Sequence, residues 1–317
     1  MTPGTPLDRR RFIVHAAGAV AASLLTARAQ GAGAGARPGP APKCRKALKY
    51  GMIGAGASVR EKFAIARDAG FEGVEMDSPG SLDLEEVLRA KEDTGIETPG
   101  VVNSVHWTSP LSHPDEDVRR RGREGLETAI RDCRALGGET VLLVPGVVNA
   151  QVSPADAWRR SMRELARVAP VASEAGVRIA IENVWNNFLL SPSAAVRYVD
   201  EANGHTPAGA RDAFAWYFDI GNIWRYGWPQ HWIRELGGRI ARLDVKGYSR
   251  AKAEKEGAWA GFGVEIDEGD LPWDQVNEAL VEIGYRGWAT AEVGGGDAAR
   301  LRAISGQMDR VFARSTP

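Results

Sequence analysis

The sequence predicts a single (β/α)8 barrel, because three features of the chain agree. From Leu48 onward, eight short runs rich in β-branched and aromatic residues alternate with helical patterns. Several runs directly follow a glycine that can end a helix, as in RALGGETVLLV and SEAGVRIAIEN. The chain has 317 residues, 44% apolar and 26% charged, which is enough for one large domain. In a TIM barrel of this kind, we expect functional residues at the C-terminal ends of the strands.

The segment before the barrel has the features of an export signal. Residues 1–29 place a basic stretch containing Arg9 and Arg10 before a short apolar run and end in an Ala-x-Ala motif. This order is typical of a twin-arginine signal peptide; a disordered basic tail is the alternative. Residues 30–47 are rich in Gly, Ala and Pro and predict a flexible tether, so we expect the barrel domain at 48–317. A periplasmic or otherwise exported protein, without a stable membrane anchor after cleavage, is therefore predicted.

Each barrel strand corresponds to one run of residues. In chain order the runs are LKYGMIG (48–54), FEGVEMD (71–77), ETPGVVNSVHW (97–107), ETVLLVP (139–145), VRIAIENV (177–184), FAWYFDIGN (214–222), RIARLDVKG (239–247) and GWATAEV (287–293). The helical stretches between them carry capping residues. Ser81 is the expected N-cap of the second helix and Gly95 its C-cap, and Ser153-Pro154 opens the fourth.

An open, doubly wound sheet is the alternative fold for the same alternation. The stretch GMIGAGAS after the first strand comes near a nucleotide-binding turn, since Gly54 and Gly56 follow a strand. The next glycine of that pattern is absent, because Val59 stands there, so nucleotide binding is disfavoured.

Composition excludes several function classes. A net charge of −1 implies no general attraction to nucleic acid. No apolar run reaches the roughly 18–20 residues of a membrane-spanning helix.

The two cysteines, Cys44 and Cys133, are too few for a disulfide framework. A bridge between them is left open, and Cys133 is expected in the core.

An acidic residue lies near the end of each of the last four strands. These residues are Glu182, Asp219, Asp244 and Glu292. Strand alternation directs all four into the barrel mouth if the neighbouring apolar residues face the helices. Converging carboxylates repel one another unless some are protonated or a cation binds them. Oxygen ligands favour one Mn²⁺ or Mg²⁺ ion, with Co²⁺ possible.

Basic side chains near the rim are the alternative partners for these acids. Lys246 points in the same direction as Asp244, two residues away, and would offset part of the negative charge. Asp244 is therefore expected to be either a metal ligand or a salt-bridge partner of Lys246.

Four segments resemble the sugar phosphate isomerase/epimerase superfamily, the xylose isomerase-like barrels that include ketose 3-epimerases and hydroxypyruvate isomerases. They are AIENVWNNF (180–188), YFDIGN (217–222), ARLDVKGYSR (241–250) and FGVEIDEGDLPWDQVNEALVEIGYRGWATAEV (262–293). The resemblance implies one divalent metal held by Glu, Asp, His and Glu after strands 5 to 8. Carried over by position, the four ligands are Glu182, Asp219, Asp244 and Glu292. The chain departs from this pattern in having Asp244 in place of the histidine.

The resemblance and the strand ends together suggest the residues that contact substrate. Glu182 and Glu292 are expected to face each other across the substrate as the catalytic pair. Arg250 matches a position that relatives use to hold substrate, and Asn222 stands where many relatives have a histidine. The full set of expected substrate-binding residues is His106, Trp107, Glu75, Asn222, Lys246, Arg250 and Trp185.

These expectations lead to a metal-dependent sugar isomerase or epimerase that acts on a ketose-type substrate through an enediolate intermediate. A lyase or hydratase acting on keto-sugars or keto-glycosides is one alternative, because it uses the same enolising chemistry. A non-catalytic sugar-binding barrel, with Lys246 neutralising the acids, is another. A zinc-cluster endonuclease is disfavoured by the small number of histidines, five in the whole chain. The expected partner is a small sugar; a homo-oligomer is possible.

Overall fold

The protein is described here by a computed structural model, which covers residues 41–81 and 83–312. In these residues, eight parallel strands pair in sequential order, and the pairing of the last strand with the first closes a barrel. The strands are β1 (Arg45–Lys49), β2 (Gly73–Ser78), β3 (Gly100–Asn103), β4 (Thr140–Leu143), β5 (Arg178–Glu182), β6 (Phe214–Asp219), β7 (Ile240–Val245) and β8 (Trp288–Ala291). The predicted TIM barrel is confirmed. The predicted signal peptide, residues 1–29, lies outside the described residues.

Helices surround the barrel and alternate with its strands. They are α1 (Val59–Asp68), α2 (Leu84–Thr94), α3 (Glu116–Ala135), α4 (Pro154–Ala175), α5 (Pro192–Asn203), α6 (Ile220–Trp224), α7 (Pro229–Leu236), α8 (Arg250–Glu256), α9 (Trp273–Glu282) and α10 (Ala298–Val311). Short 3₁₀ turns cover Tyr50–Met52, Gly237–Arg239 and Ala258–Phe262. Among the described residues, no helix is both long and apolar enough to cross a membrane.

The barrel begins earlier than its sequence suggested. β1 starts at Arg45, so the last residues of the expected tether are part of the sheet, and residues 50–52 of the run 48–54 form a 3₁₀ turn instead. Arg45 and Lys46 are charged, so they lack the apolar pattern that marks a strand in the sequence. In the structure, Arg45 pairs with Glu97, and Lys46 Nζ lies 2.7 Å from an Asp309 carboxylate oxygen.

The helix caps follow the expected pattern with one correction. The side chain of Asp83, not Ser81, caps α2 by accepting a hydrogen bond from the Glu85 backbone N–H, and Gly95 ends that helix in the left-handed conformation. Ser153 caps α4 as expected, with Pro154 in its first turn. The observed N-cap lies two residues from the predicted one, because several neighbouring side chains can accept hydrogen bonds from the first N–H groups of a helix.

The barrel wall separates two apolar regions. Ile181, Phe218 and Leu243 point outward and belong to the large core beneath the helices. A small inner cluster holds Leu142, Ala180 and Tyr217. This division follows the two-residue alternation of the strands, and it directs the acids in the same strands toward the barrel axis. Cys133 lies in the outer region, fully buried, with its thiol donating to the Thr140 carbonyl at 3.3 Å.

Candidate active site

The four predicted acids meet at the C-terminal mouth of the barrel. Glu182 ends β5, Asp219 ends β6, Asp244 lies near the end of β7 and Glu292 directly follows β8. One carboxylate oxygen from each lies within 4.8 Å of those of the other three. The β6–β7 register sets Asp219 directly beside Asp244. Four adjacent strands thus bring their acids to one level because parallel strands end at the same edge.

Two asparagines hold the Asp219 segment in place. The Asn183 side chain accepts from the Asp219 N–H at 3.1 Å and donates to the Asp219 carbonyl at 2.7 Å. The Asn222 N–H donates to Asp219 Oδ1 at 2.8 Å, which makes Asp219 the N-cap of α6. These bonds use the backbone and one oxygen of Asp219, so its Oδ2 is directed toward the acid cluster.

Two lysines pair with the acids, in an arrangement that differs from the expected one. Lys246 Nζ lies 2.7 Å from Asp219 Oδ2 and contacts the Glu292 carboxylate. Lys49, at the end of β1, lies 3.0 Å from Asp244 Oδ1. The salt-bridge partner of Asp244 is therefore Lys49, not Lys246. Lys246 leans toward β6 because Gly221 leaves room there: a Cβ at that glycine would lie 2.5 Å from Lys246 Cγ.

The two lysines do not balance the charge of the four carboxylates in this buried cluster. Desolvation, reinforced by the neighbouring carboxylates, raises the pKa of Glu182 well above its usual range. Burial likewise raises the pKa of Asp219 to about 6, and it raises that of Asp244 well above normal despite the opposing Lys49. At Glu292, desolvation is outweighed by the ammonium groups of Lys246 and Lys49, so its pKa is lowered.

A divalent cation suits this donor set. The four side chains offer only oxygen ligands, which are the ligands that Mg²⁺ and Mn²⁺ prefer. Asp219 Oδ2 and Asp244 Oδ1 accept no hydrogen bond of good geometry, although a lysine Nζ lies within 3.0 Å of each. Together with the raised carboxyl pKa values, this shows that the lysines do not satisfy the acids completely. The residues present therefore fit a metal site.

A cavity of about 440 Å³ lies above the acids, a common size for small-molecule sites. Its lining includes both Glu182 and Glu292. Five of the seven expected substrate-binding residues also line it: His106, Trp107, Trp185, Asn222 and Lys246. The Trp107 ring packs edge-on against His106 with 5.4 Å between ring centres. Trp185 is oriented by a hydrogen bond from its Nε1 to the Asn222 carbonyl, 3.0 Å long.

Glu75 lies below the cavity, inside the barrel. Its Oε1 accepts from Arg242 at 2.5 Å, its Oε2 from Lys49 at 2.8 Å, and the Tyr217 hydroxyl lies 2.9 Å from both oxygens. Its side chain is fully enclosed. A substrate contact would require Glu75 to give up one of these bonds, so the structure assigns it to the barrel interior.

Arg250 also lies away from the cavity, at the start of α8. Its Nε and one terminal nitrogen donate to the carbonyls of Trp224 and Gly227, each at 2.6 Å. Its guanidinium stacks on the Trp224 ring, 3.6 Å from the ring centre. Arg250 thus holds the segment after β6 in place and does not line the cavity.

The sequence analysis missed several residues of the site region, among them Lys49, Arg242 and Trp259. Lys49 and Arg242 were detectable, because each lies in phase with inward-facing neighbours on its strand: Arg242 is two residues before Asp244. Trp259, which also lines the cavity, belongs to a 3₁₀ turn after α8 and had no sequence signal. Its position depends on how the chain returns over the barrel mouth.

Comparison with known proteins agrees with the fold. A family model described as xylose isomerase-like TIM barrel matches residues 63–309. L-ribulose-5-phosphate 3-epimerase of Escherichia coli is 27% identical over 244 residues, covering 74% of this chain and 81% of the relative. Two solved structures share the fold. An L-ribulose 3-epimerase has a TM-score of 0.67 and 18% identity over 86% of this chain and all of its own. The 3-keto-D-glucoside 4-epimerase of E. coli has a TM-score of 0.69 and 14% identity over the same shares.

Proposed function

The chain belongs to the xylose isomerase-like TIM barrel family, and from this premise we propose that it is a metal-dependent sugar epimerase or isomerase acting on a keto sugar. One observation carries the proposal. Glu182 and Glu292 both line the cavity, and both belong to the cluster of four acids at its base. The relatives, an L-ribulose-5-phosphate 3-epimerase and an L-ribulose 3-epimerase among them, support this class of reaction.

Glu182, Asp219, Asp244 and Glu292 would hold the metal. When bound, a divalent cation supplies positive charge beside the substrate oxygens, where negative charge develops. The carboxylates of Glu182 and Glu292 transfer the proton from and to the substrate carbon. One of the catalytic pair removes the proton from the carbon next to the carbonyl, and the C–H electron pair moves toward the carbonyl oxygen, giving an enediolate.

The second carboxyl of the pair completes the reaction by returning a proton. Delivery to the opposite face of the same carbon gives the epimer, whereas delivery to the neighbouring carbon gives the isomer. The surroundings of Glu182 and Glu292 push their pKa values in opposite directions, upward for Glu182 and downward for Glu292. Both directions describe the site before a cation binds, and a bound cation would favour the ionised form of each carboxylate.

Exchange of substrate hydrogen with solvent tests the proposal. Free ketoses and keto-glycosides are incubated with the protein and Mn²⁺ in D₂O, and NMR follows deuterium incorporation next to the carbonyl and the products. We expect exchange and an epimer or isomer, both lost in Glu182→Gln and in Glu292→Gln. Glu282→Gln, on the outer surface of α9, serves as the matched control. Exchange that persists in both active-site variants would contradict the roles of this pair, and release of water or a cleaved fragment would identify a lyase or hydratase.

One observation favours the binding-only alternative. Lys246 and Lys49 already contact three of the four acids, as expected of a site that neutralises its acids without metal. Metal titration separates the two possibilities. An epimerase is expected to bind about one Mn²⁺ per chain and to melt at a higher temperature with it, since a ligand bound only by the folded state stabilises that state. A protein that binds a ketose but no Mn²⁺ would be a sugar-binding barrel.

A further inference from the structure

The cavity over the acids continues into a second cavity of about 670 Å³. We call the first the reaction lobe and the second the outer lobe. The two share Asn222, Lys246, Trp259 and Glu292, so they join at the acids and at one tryptophan. A ligand with two parts could therefore place its reacting part over Glu182 and extend past Trp259.

Trp259 provides a fixed aromatic surface where the lobes join. Its side chain is 73% exposed, the highest value among the exposed large apolar residues of the described chain. Its ring is nevertheless held in place, with ring centres 4.6 Å from Trp185 and 6.1 Å from Phe262. Arg225 stacks on Trp185 at 3.8 Å and supports the same group. An indole that is held by neighbouring rings but mostly open to solvent is suited to stack against a sugar ring.

The charges around both lobes disfavour a phosphate group. Acidic side chains outnumber basic ones in the lining: the acids are Asp77, Glu182, Glu265, Glu268 and Glu292, and the bases are Lys246 and Arg300. Both bases are engaged. Lys246 contacts Asp219 and Glu292, while Arg300 donates to Glu265 at 2.7 Å and to the Gly294 carbonyl at 3.1 Å. A phosphate dianion here would meet repulsion from the acids and would have to break existing ion pairs.

We propose that the substrate is an unphosphorylated keto sugar carrying a second, uncharged ring, and that this ring stacks on Trp259 in the outer lobe. The proposal rests on the proposed function for the reacting ring. It separates this chain from the similar L-ribulose-5-phosphate 3-epimerase, whose name specifies a phosphorylated substrate. The aromatic surface supplies the attraction for the second ring, and the acidic lining supplies the discrimination against phosphate.

Matched ligands test the proposal, because they share one ketose and differ in what it carries. They are fructose, fructose 6-phosphate, and the glucosyl-fructoses isomaltulose (linked at O6) and maltulose (linked at O4). Calorimetry measures their affinities for the full protein with Mg²⁺. We expect the better glucosyl-fructose to bind about tenfold more tightly than fructose, a gain typical of one aromatic stack. Fructose 6-phosphate is expected to bind no better than fructose. Tighter binding of the phosphate, or no gain from either glucosyl group, would overturn the proposal.

The variant Trp259→Ala locates the second ring. We expect it to reduce affinity for the glucosyl-fructose at least fivefold more than affinity for fructose. The control Trp228→Ala removes another exposed tryptophan, which lies outside both lobes, and it is expected to change neither affinity. An equal loss for all ligands in Trp259→Ala would contradict stacking of the second ring. Because these are binding measurements, ligand binding without deuterium exchange would contradict the epimerase proposal and leave this one standing.

Discussion

The carboxylate of Asp244 is surrounded by groups from several strands. Lys49 reaches it from β1, and Asp219 lies beside it on β6. Asp244 is fully buried, and burial is the main cause of its raised pKa. A single lysine shared with Glu75 does not compensate a buried carboxylate fully, so Asp244 is a good candidate for a metal ligand.

Two substitutions at Asp244 test that role. We expect Asp244→His to keep metal binding but to shift its preference toward Zn²⁺ or Co²⁺, because imidazole is a softer ligand than carboxylate. Asp244→Asn keeps an oxygen but loses the charge, and we expect it to bind Mn²⁺ at least about tenfold more weakly. Equilibrium dialysis with Mn²⁺ and Zn²⁺ measures both. Unchanged Mn²⁺ affinity in Asp244→Asn, with only a lower Tm, would make Asp244 a partner of Lys49 alone.

His106 gives the fold a dependence on pH. Its Nδ1 accepts from the Val144 N–H at 3.4 Å, and burial, aided by the charge of Lys49, lowers its pKa from 6.5 to about 4. Between these values the unfolded chain binds a proton that the folded one does not. Stability is therefore lost as the pH falls from about 6.5 to about 4, by roughly 1.4 kcal/mol per pH unit.

The variant His106→Gln isolates this effect. Urea unfolding of both proteins at several pH values between 7.5 and 4.5 gives the difference in free energy of unfolding. That difference should be constant above pH 6.5 and should shift in favour of the variant below it. The carboxyl groups titrate in both proteins and cancel to first order. Parallel stability profiles would show that His106 is protonated in the folded state as readily as in the unfolded one.

At the scale of the elements, a polar layer joins opposite sides of the barrel beneath the site. Glu75 on β2 binds Arg242 on β7, which is almost completely buried. Tyr217 and Thr290 add hydrogen bonds from β6 and β8. The layer sits directly under the acids, so it supports the floor of the site.

Glu75→Gln is expected to lower the free energy of unfolding by about 3–5 kcal/mol, because it leaves the Arg242 guanidinium buried without a counter-charge. Urea unfolding measures this loss. The matched control is Glu282→Gln, which removes the partner of Arg234 on the surface, where water solvates both groups. If both variants lose the same small amount, then the buried pair contributes no more than an exposed one.

At the scale of the whole molecule, residues 1–29 bear on the cellular compartment in which the protein acts. We propose export by the twin-arginine route, from Arg9, Arg10 and the Ala-x-Ala motif. This segment lies outside the described residues. An unphosphorylated substrate would agree with a location outside the cytoplasm.

Cell fractionation tests the proposed route. Mature protein is expected outside the cytoplasm with an N-terminus near Gln30, and changing Arg9 and Arg10 together to Lys should leave the precursor inside the cell. A paired change of Arg60 and Arg67 to Lys, on α1, controls for the loss of two arginines. Export of the double variant at the normal level would exclude the twin-arginine route.

The sequence by itself determined the order of the elements and the position of the four acids. Strand alternation and glycine helix ends are local signals, and they were sufficient to predict eight strands with Glu182, Asp219, Asp244 and Glu292 at one end of the barrel. The start of β1 was wrong because Arg45 is held by a distant partner, Glu97, which local pattern does not show. The cap of α2 was wrong because Asp83, two residues after Ser81, accepts the Glu85 backbone N–H instead.

Only the tertiary structure decided which charges pair and what surrounds the cavity. Closure of the barrel brings Lys49 of β1 to Asp244 of β7, a contact between residues 195 positions apart. It also encloses Glu75, while a return of the chain after α8 places Trp259 above the acids. None of these contacts follows from strand alternation, because alternation gives the face on which a side chain lies but not the partner that it meets there.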